Sequence, residues 1–310
     1  MEIFVSGAMT EAQAARLRAA AGGDRLHLHG CFEPDAEIEP AFARCEVAFG
    51  NLPPAWLTEA PALRWMQLES VGFGEYADLN WGELGQRLTL TNLAGFFAEP
   101  VAESALAGIL ALYRGFDRMV ALQGSGDWQG DALRPGLRTL KGAAVVLFGY
   151  GAINRRLEEL LAPFGCIVVS FGSAWRAETL DLALKSADIV VSTVPDTPAT
   201  RGVFSRERLA LLGADALFLN FGRGSVVDEA ALADALAAGR LGGAVIDVTL
   251  EEPLPADHRF WTVPNLILTQ HSGGGSRDEV DRKIAVFADN LVRYRRGEAL
   301  AGTVNWARGY

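Results

Sequence analysis

The sequence predicts an α/β fold made of two doubly wound parallel-sheet domains. Three observations carry this reading. Short apolar runs alternate with amphipathic stretches along the whole chain, the signature of β-α units and hence of parallel strands. One run, Ala144–Phe148, leads through the glycine turn GYGAIN (Gly149 to Asn154) into a helical pattern, the order of a dinucleotide-binding unit. The chain has 310 residues, half of them hydrophobic, enough for two domains of ordinary size.

Taken in order, Ile3–Val5 reads as a strand, and a helix opens at Thr10, where Gln13 completes a capping box, and closes at Gly22. Leu26–Leu28, Val47–Phe49 and Trp65–Leu68 read as further strands, with His27 and His29 flanking the first of them. Pro100–Tyr113 is apolar nearly all round (Val101, Ala102, Ala105, Leu106, Ile109, Leu110), which predicts a buried helix at a domain junction. The glycine-rich stretch Gly124–Gly142, with Pro135, reads as an arm or a linker. A second set of strands follows at Ala144–Phe148, Ile167–Ser170, Ile189–Thr193, Ala216–Asn220, Gly243–Asp247 and Leu266–Thr269. The last helix is expected to start at Ser276 with a capping box to Glu279, and to present Val280, Ile284, Phe287, Leu291 and Tyr294 on one face.

Composition excludes several classes of function. With 28 basic and 38 acidic residues the net charge is −10, which argues against nucleic acid or an anionic membrane as partner. Cys31, Cys45 and Cys166 are odd in number and lack metal-ligand spacing, so they read as reduced thiols of a cytoplasmic protein, and no metal site is expected. The opening MEIFVSGAMT has neither a basic region nor a long apolar core, so no signal peptide is expected, and no run approaches the ~20 residues of a membrane span.

The glycine turn predicts a dinucleotide site. Gly149 makes the turn, Gly151 leaves room for backbone beside a pyrophosphate, and the helix after it carries Leu157, Leu160, Leu161 and Phe164 before Gly165 at the C-cap. Asn154 stands where a third glycine or alanine is usual, and is expected to widen the turn or point outward. The following strand ends Ser170-Phe171-Gly172-Ser173 without an acid to hold a ribose 2′-hydroxyl. Arg176 and Ser173 are therefore placed to receive a 2′-phosphate, and NADP is preferred to NAD.

Arg223, Glu252 and His271 form the candidate catalytic set. Arg223 follows a strand and lies between glycines, free to aim its planar fork at a carboxylate and a carbonyl oxygen. His271 ends the Leu266–Thr269 strand beside Ser272 and a glycine run, and an imidazole suits proton transfer in both directions. A carboxylate partner would hold the ring in one tautomer and favour its charged form; Glu252, fixed by Pro253, is the candidate and Glu251 its nearest rival. Phe73, Phe96, Phe97 and Trp261 are candidate pocket aromatics, although such residues more often belong to the core.

These segments resemble the D-isomer-specific 2-hydroxyacid dehydrogenase family over nearly the whole chain. The resemblance rests on GYGAI, ADIVVSTVPDTPATRGVF (Ala187–Phe204), NFGRGSVVDEAALADAL (Asn220–Leu236), GAVIDVTLEEPLP (Gly243–Pro255) and PNLILTQHSGG (Pro264–Gly274). It implies a Rossmann cofactor domain, residues 99–274, inserted in a flavodoxin-like substrate domain, residues 1–98 plus 275–310, and a homodimer formed through the cofactor domains. It puts the catalytic roles on Arg223, Glu252 and His271, and the residue beside the nicotinamide carboxamide at Asp247. Cofactor contacts would fall on Gly149, Gly151, Ala152, Ile153, Ser173, Arg176, Val194, Pro195, Thr200, Phe221, Gly222, Asp247, Ser272 and Gly273. The loop LRWMQLESVGFG (Leu63–Gly74) resembles the one whose amides hold the substrate carboxylate, which points to Val71 and Gly72 beside Arg223 and His271, and EPVAESAL (Glu99–Leu106) resembles the start of the interdomain helix. The chain departs from the family pattern at Asn154, at Gln270 (usually Pro before the His) and at Ser104, where a larger residue is common.

The length and the missing acid look most like the glyoxylate/hydroxypyruvate reductase branch, so the expected activity is reduction of a small 2-keto acid to the D-2-hydroxy acid with NADP or NAD as cofactor. Two rivals follow from the same resemblance. A phosphite- or formate-type dehydrogenase shares the fold, but formate dehydrogenases pair the His with Gln, and this chain has Glu252. A dinucleotide-sensing scaffold like the C-terminal binding protein corepressors keeps the same catalytic residues, but no tail or extension here supports it.

Overall fold

The short β-branched and aromatic runs form strands that pair in parallel in two separate sheets. A computed structural model describes residues 1–30 and 42–306, so Cys31 lies outside the described residues. The chain divides into two compact units, Met1–Phe96 with Ser276–Tyr310, and Phe97–Gly275.

In the first unit β1 (Glu2–Ser6), β2 (Arg25–His29), β3 (Val47–Phe49), β4 (Trp65–Gln67) and β5 (Thr89–Thr91) make a sheet of order β2-β1-β3-β4-β5, the flavodoxin-like order. β2 extends beyond the expected run to Arg25–His29, so His29 as well as His27 lies within the strand and neither flanks it. β5 escapes sequence reading because Thr-Leu-Thr is too short to show alternation. It is fixed from outside by Thr91, whose Oγ1 accepts the Trp65 Nε1–H at 2.9 Å and donates to Gln67 Oε1 at 2.8 Å. The helix Glu11–Ala21 has the expected capping box between Thr10 and Gln13.

The helix Glu279–Arg295 covers one face of this sheet. Phe287 stacks on Phe49 (4.8 Å between centroids) and on Trp65 (5.3 Å), with Ile284 and Leu291 buried beside it. Asn290 Nδ2 donates to Gln67 Oε1 at 2.9 Å. The expected capping box at Ser276 does not form. The Ser276 carbonyl accepts the Glu279 N–H in a turn before the helix, the N-cap position falls on Asp278 without a side-chain cap, and Ser276 Oγ is buried without a partner.

In the second unit β6 (Ala144–Phe148), β7 (Ile167–Phe171), β8 (Ile189–Ser192), β9 (Leu217–Asn220), β10 (Gly243–Ile246) and β11 (Leu266–Leu268) give the order β11-β10-β9-β8-β6-β7. β6 has β7 on one side and β8 on the other, which sets the switch point where open α/β sheets bind ligands. The apolar helix runs Ala98–Arg114 and ends at Gly115 in the left-handed region. It sits tightly on β10, because a Cβ at Gly108 would lie 2.7 Å from Val245 Cγ2. The glycine-rich stretch is not a linker, since both of its flanks belong to this unit; its first two residues close a helix, Phe116–Ser125, and it contains a 3₁₀ segment, Gly130–Gly136. Phe116, Val120 and Trp128 are exposed here. No helix among the described residues is long and apolar enough to cross a membrane.

Phe287→Ala removes a fully buried ring from a stack of three aromatics. It should cost about 3–5 kcal/mol, read as a lower urea midpoint with an unchanged slope. A loss under about 1 kcal/mol would show that this helix is not integral to the unit's core.

Candidate functional site

The glycine turn after β6 is built by close approach. Gly149 has φ +93, and a Cβ there would meet Val194 Cγ1 at 2.7 Å; a Cβ at Gly222 would meet the Val194 carbonyl oxygen at 2.4 Å. The ends of β6, β8 and β9 therefore converge with no room for side chains. Gly151 faces open space, and the ten-residue helix Ala152–Leu161 starts there without a side-chain cap. Such a terminus leaves backbone N–H groups, here including those of Ala152 and Ile153, to meet a phosphate. Donor chemistry and clearance both fit a dinucleotide pyrophosphate.

Asn154 does not point outward. It is fully buried, and Nδ2 donates to the carbonyls of Phe148 (3.2 Å) and Gly149 (3.1 Å), which braces the turn, while Oδ1 has no partner. Thr200 is buried and closes its own loop, donating from Oγ1 to the Pro195 carbonyl (2.6 Å) and accepting the Thr197 N–H (2.9 Å). Ser173 and Arg176 line a cavity of about 400 Å³ beyond β7. Arg176 is exposed and makes no ion pair among the described residues.

Asp247, just past β10, organises the turn after β11. Its Oδ1 accepts the Thr269 hydroxyl at 2.6 Å and the Gly273 N–H at 2.9 Å, and its carbonyl accepts the His271 N–H at 2.6 Å. Gln270 and His271 both have φ +54. A proline at 270 would hold φ near −65°, so this backbone and the usual Pro are mutually exclusive, and the Gln270 departure acquires a physical reason. Ser272 Oγ donates to the Thr269 carbonyl. A Cβ at Gly273 would crowd Phe221 at 3.0 Å and Asp247 at 3.1 Å.

His271 Nδ1 lies 2.7 Å from Glu252 Oε2, while Glu252 Oε1 accepts the Thr249 N–H at 3.0 Å. Glu251 is exposed and offers the loop only its backbone carbonyl, to the Thr249 hydroxyl. Burial acts to raise the Glu252 carboxyl, but the His271 bond, the Thr249 N–H and the Arg223 charge outweigh it and hold it below its ordinary value of 4.5. Arg223 stands at a turn clamped by buried Asn220, which donates to the Arg223 carbonyl (2.9 Å) and accepts the Gly222 N–H (3.2 Å). Gly224 has to be glycine, since a Cβ would fall 2.0 Å from the Thr249 carbonyl carbon. The Arg223 turn thus packs directly on the loop that carries Glu252.

In the first unit, the loop after β4 places Val71 and Gly72 with their carbonyls accepting from Asn92 Nδ2 (2.7 Å) and Ser70 Oγ (2.7 Å). Val71 is exposed. Phe73 is core, edge-on to Trp306, and Phe96 lies under the Arg282 guanidinium. Phe97 packs under Gly274 in the second unit, and Trp261 there is half exposed with its indole N–H on the Pro255 carbonyl.

Sequence reading missed several supports. Thr269 and Thr249 hold Asp247 and Glu252, and Ser104, treated as a departure, donates to the Gly273 carbonyl at 2.9 Å. Only the fold brings these residues to their partners, although a hydroxyl two residues before His271 was a usable local signal.

The sequence profile described as "D-isomer specific 2-hydroxyacid dehydrogenase, NAD binding domain" matches residues 106–273. The chain is 31% identical to a mitochondrial formate dehydrogenase of Solanum tuberosum, over 86% of this chain and 74% of that one. It is 30% identical to glyoxylate/hydroxypyruvate reductase B of Pectobacterium carotovorum, over 86% and 87%. The crystal structure of a D-isomer specific 2-hydroxyacid dehydrogenase family protein from Aeromonas salmonicida superposes with TM-score 0.83 at 26% identity, covering 98% of this chain and 99% of that one.

Asn154→Ala leaves the Phe148 and Gly149 carbonyls without that donor and should cost about 1–3 kcal/mol; an unchanged melting temperature would mean the brace is idle. Glu252 is held low in the folded state, so its stabilising contribution is present above its ordinary value and is lost as pH falls through the lowered one. The melting-temperature gap between wild type and Glu252→Gln should therefore be widest near neutrality and close in acid; a gap that widens in acid would contradict the assignment.

Proposed function

The chain belongs to the D-isomer specific 2-hydroxyacid dehydrogenase family, and we propose that it reduces a small 2-keto acid of the glyoxylate or hydroxypyruvate type to the D-2-hydroxy acid with NADPH. The observation that carries this reading is the 2.7 Å pair of His271 and Glu252, with Arg223 on the neighbouring strand-end turn.

The nicotinamide ring, when bound, supplies a hydride, with its electron pair, to the carbonyl carbon. Arg223 holds the carboxylate and carbonyl oxygen with its fork. Charge that develops on the carbonyl oxygen is met by a proton from His271 Nε2, the ring nitrogen that Glu252 leaves available. Glu252 holds the tautomer and offsets the ring's positive charge through Nδ1. Asp247 keeps the turn that carries His271 and, in this reading, meets the carboxamide. The turn from Gly149 to Ile153 takes the pyrophosphate; Val194, Pro195 and Thr200, with Phe221, Gly222, Ser272 and Gly273, border the rest of the cofactor.

NADPH is favoured over NADH by Arg176 and Ser173 beside an acid-free cavity. A homodimer fits the exposed Phe116, Val120 and Trp128, apolar surface that a second copy would cover.

Formate oxidation is the second reading, favoured by the potato relative. Formate loses hydride and becomes carbon dioxide with no proton exchanged, so it gives a His–Glu acid pair nothing to do. Glu252 therefore supports the keto acid.

The test is oxidation of NADPH and NADH with glyoxylate, hydroxypyruvate, pyruvate and phenylpyruvate, beside formate with NADP and NAD. Turnover should be fastest with NADPH and the two smallest acids, and absent with formate. Turnover only with formate would overturn the proposal; cofactor binding without turnover on any substrate would favour the sensing scaffold. His271→Ala should lower kcat by about 10²–10⁴-fold with cofactor affinity nearly intact. Arg176→Ala should raise the KM for NADPH and leave that for NADH unchanged.

A further inference from the structure

The first unit carries a cluster of metal-ligating side chains for which the proposed reaction has no use. Glu2 begins β1, His27 lies in the paired strand β2 and Cys45 stands two residues before β3, and the fold brings the three side chains together. One donor atom from each lies within 4.8 Å of the others. Glu2 Oε2 and His27 Nε2 are already 2.9 Å apart. We propose that Glu2, His27 and Cys45 form a binding site for one zinc-class divalent cation.

The donor set is carboxylate oxygen, imidazole nitrogen and thiol sulfur, the mixture that a borderline-soft cation takes at about 2.0–2.3 Å per bond. Rotamer adjustments would draw these donors around one ion, with a water in the fourth place. Cys45 is fully buried, whereas the His27 and Glu2 side chains are 14% and 26% exposed, so an ion enters from their side. On binding, the Cys45 S–H bond breaks, a metal–sulfur bond forms and the proton passes to solvent. Without metal, burial pushes this thiol up to about 12, so it is a poor nucleophile and poorly suited to thiol redox chemistry.

The simpler reading is a His27–Glu2 ion pair beside a core cysteine. Arg25 and Arg44 approach the Glu2 carboxylate only at 3.9 and 3.8 Å. At that range they compete with an ion without occupying its place. A bound ion would tie β1, β2 and the entry to β3 together.

The test uses the full chain, stripped with chelator and titrated with Zn²⁺ and Co²⁺. Saturation is expected at one equivalent, with a thiolate-to-cobalt charge-transfer band that Cys45→Ser abolishes. Zn²⁺ should raise the melting temperature of wild type and not of Cys45→Ser. His27→Gln and Glu2→Gln should weaken binding by more than roughly tenfold, the least that losing even an outer partner of a metal ligand costs. Keto acid turnover should not change in any of the three. Absence of saturable binding, a thiolate band that persists in Cys45→Ser, or equal affinity in wild type and variants would overturn the proposal. If Cys45→Ser does not fold, the two substitutions at partly exposed side chains decide the matter.

Discussion

The buried carboxylate of Asp247 is the constraint on which the candidate site depends. Two consecutive non-glycine residues, Gln270 and His271, sit in the left-handed region, a conformation that costs of order 1–3 kcal/mol at each position. It persists because Asp247 ties both ends of the turn, through Thr269 Oγ1 and the Gly273 N–H, while its own carbonyl takes the His271 N–H. The side chain that ends up on Glu252 is thus aimed from the end of β10, where Asp247 begins the loop, and not by the strand that precedes His271.

Close approach supplies the second half of the architecture. Glycines at 149, 222 and 224 let backbone pass against backbone where side chains would collide, so the strand-end loops of β6, β8, β9 and β10 converge on one edge of the sheet. That convergence brings the Arg223 charge to bear on Glu252, and the helix that opens after Gly151 at the same sheet edge has no side-chain cap. Rigid strands fix the loops, and the loops carry the chemistry.

Much of this was legible in the sequence, for identifiable reasons. The turn at Gly149 and the residues Arg223 and His271 announce themselves locally, each at the end of an apolar run and beside glycine. Pro253 favours Glu252 over Glu251, and in the structure Glu252 meets the imidazole. What stayed hidden is non-local. Nothing in the local sequence shows that the Asn154 amide turns inward to brace two carbonyls of the preceding turn. β5 depends on Trp65 and Gln67 across the sheet, and Ser104 reaches Gly273 from a helix distant in sequence. Glu2, His27 and Cys45 have no common spacing, and only the fold brings their donor atoms within 4.8 Å of one another. A capping motif can also mislead: Ser276 has the right residue three positions on, yet the helix starts later.

In the proposed reaction Glu252 acts through His271. A double-mutant cycle tests it most directly, with kcat for a small keto acid measured in wild type, Glu252→Ala, His271→Ala and the double variant. The double variant is expected to be no slower than His271→Ala alone, because removing the ring removes the route by which Glu252 contributes. Losses that multiply, so that the double variant is slower by the product of the two single effects, would contradict it.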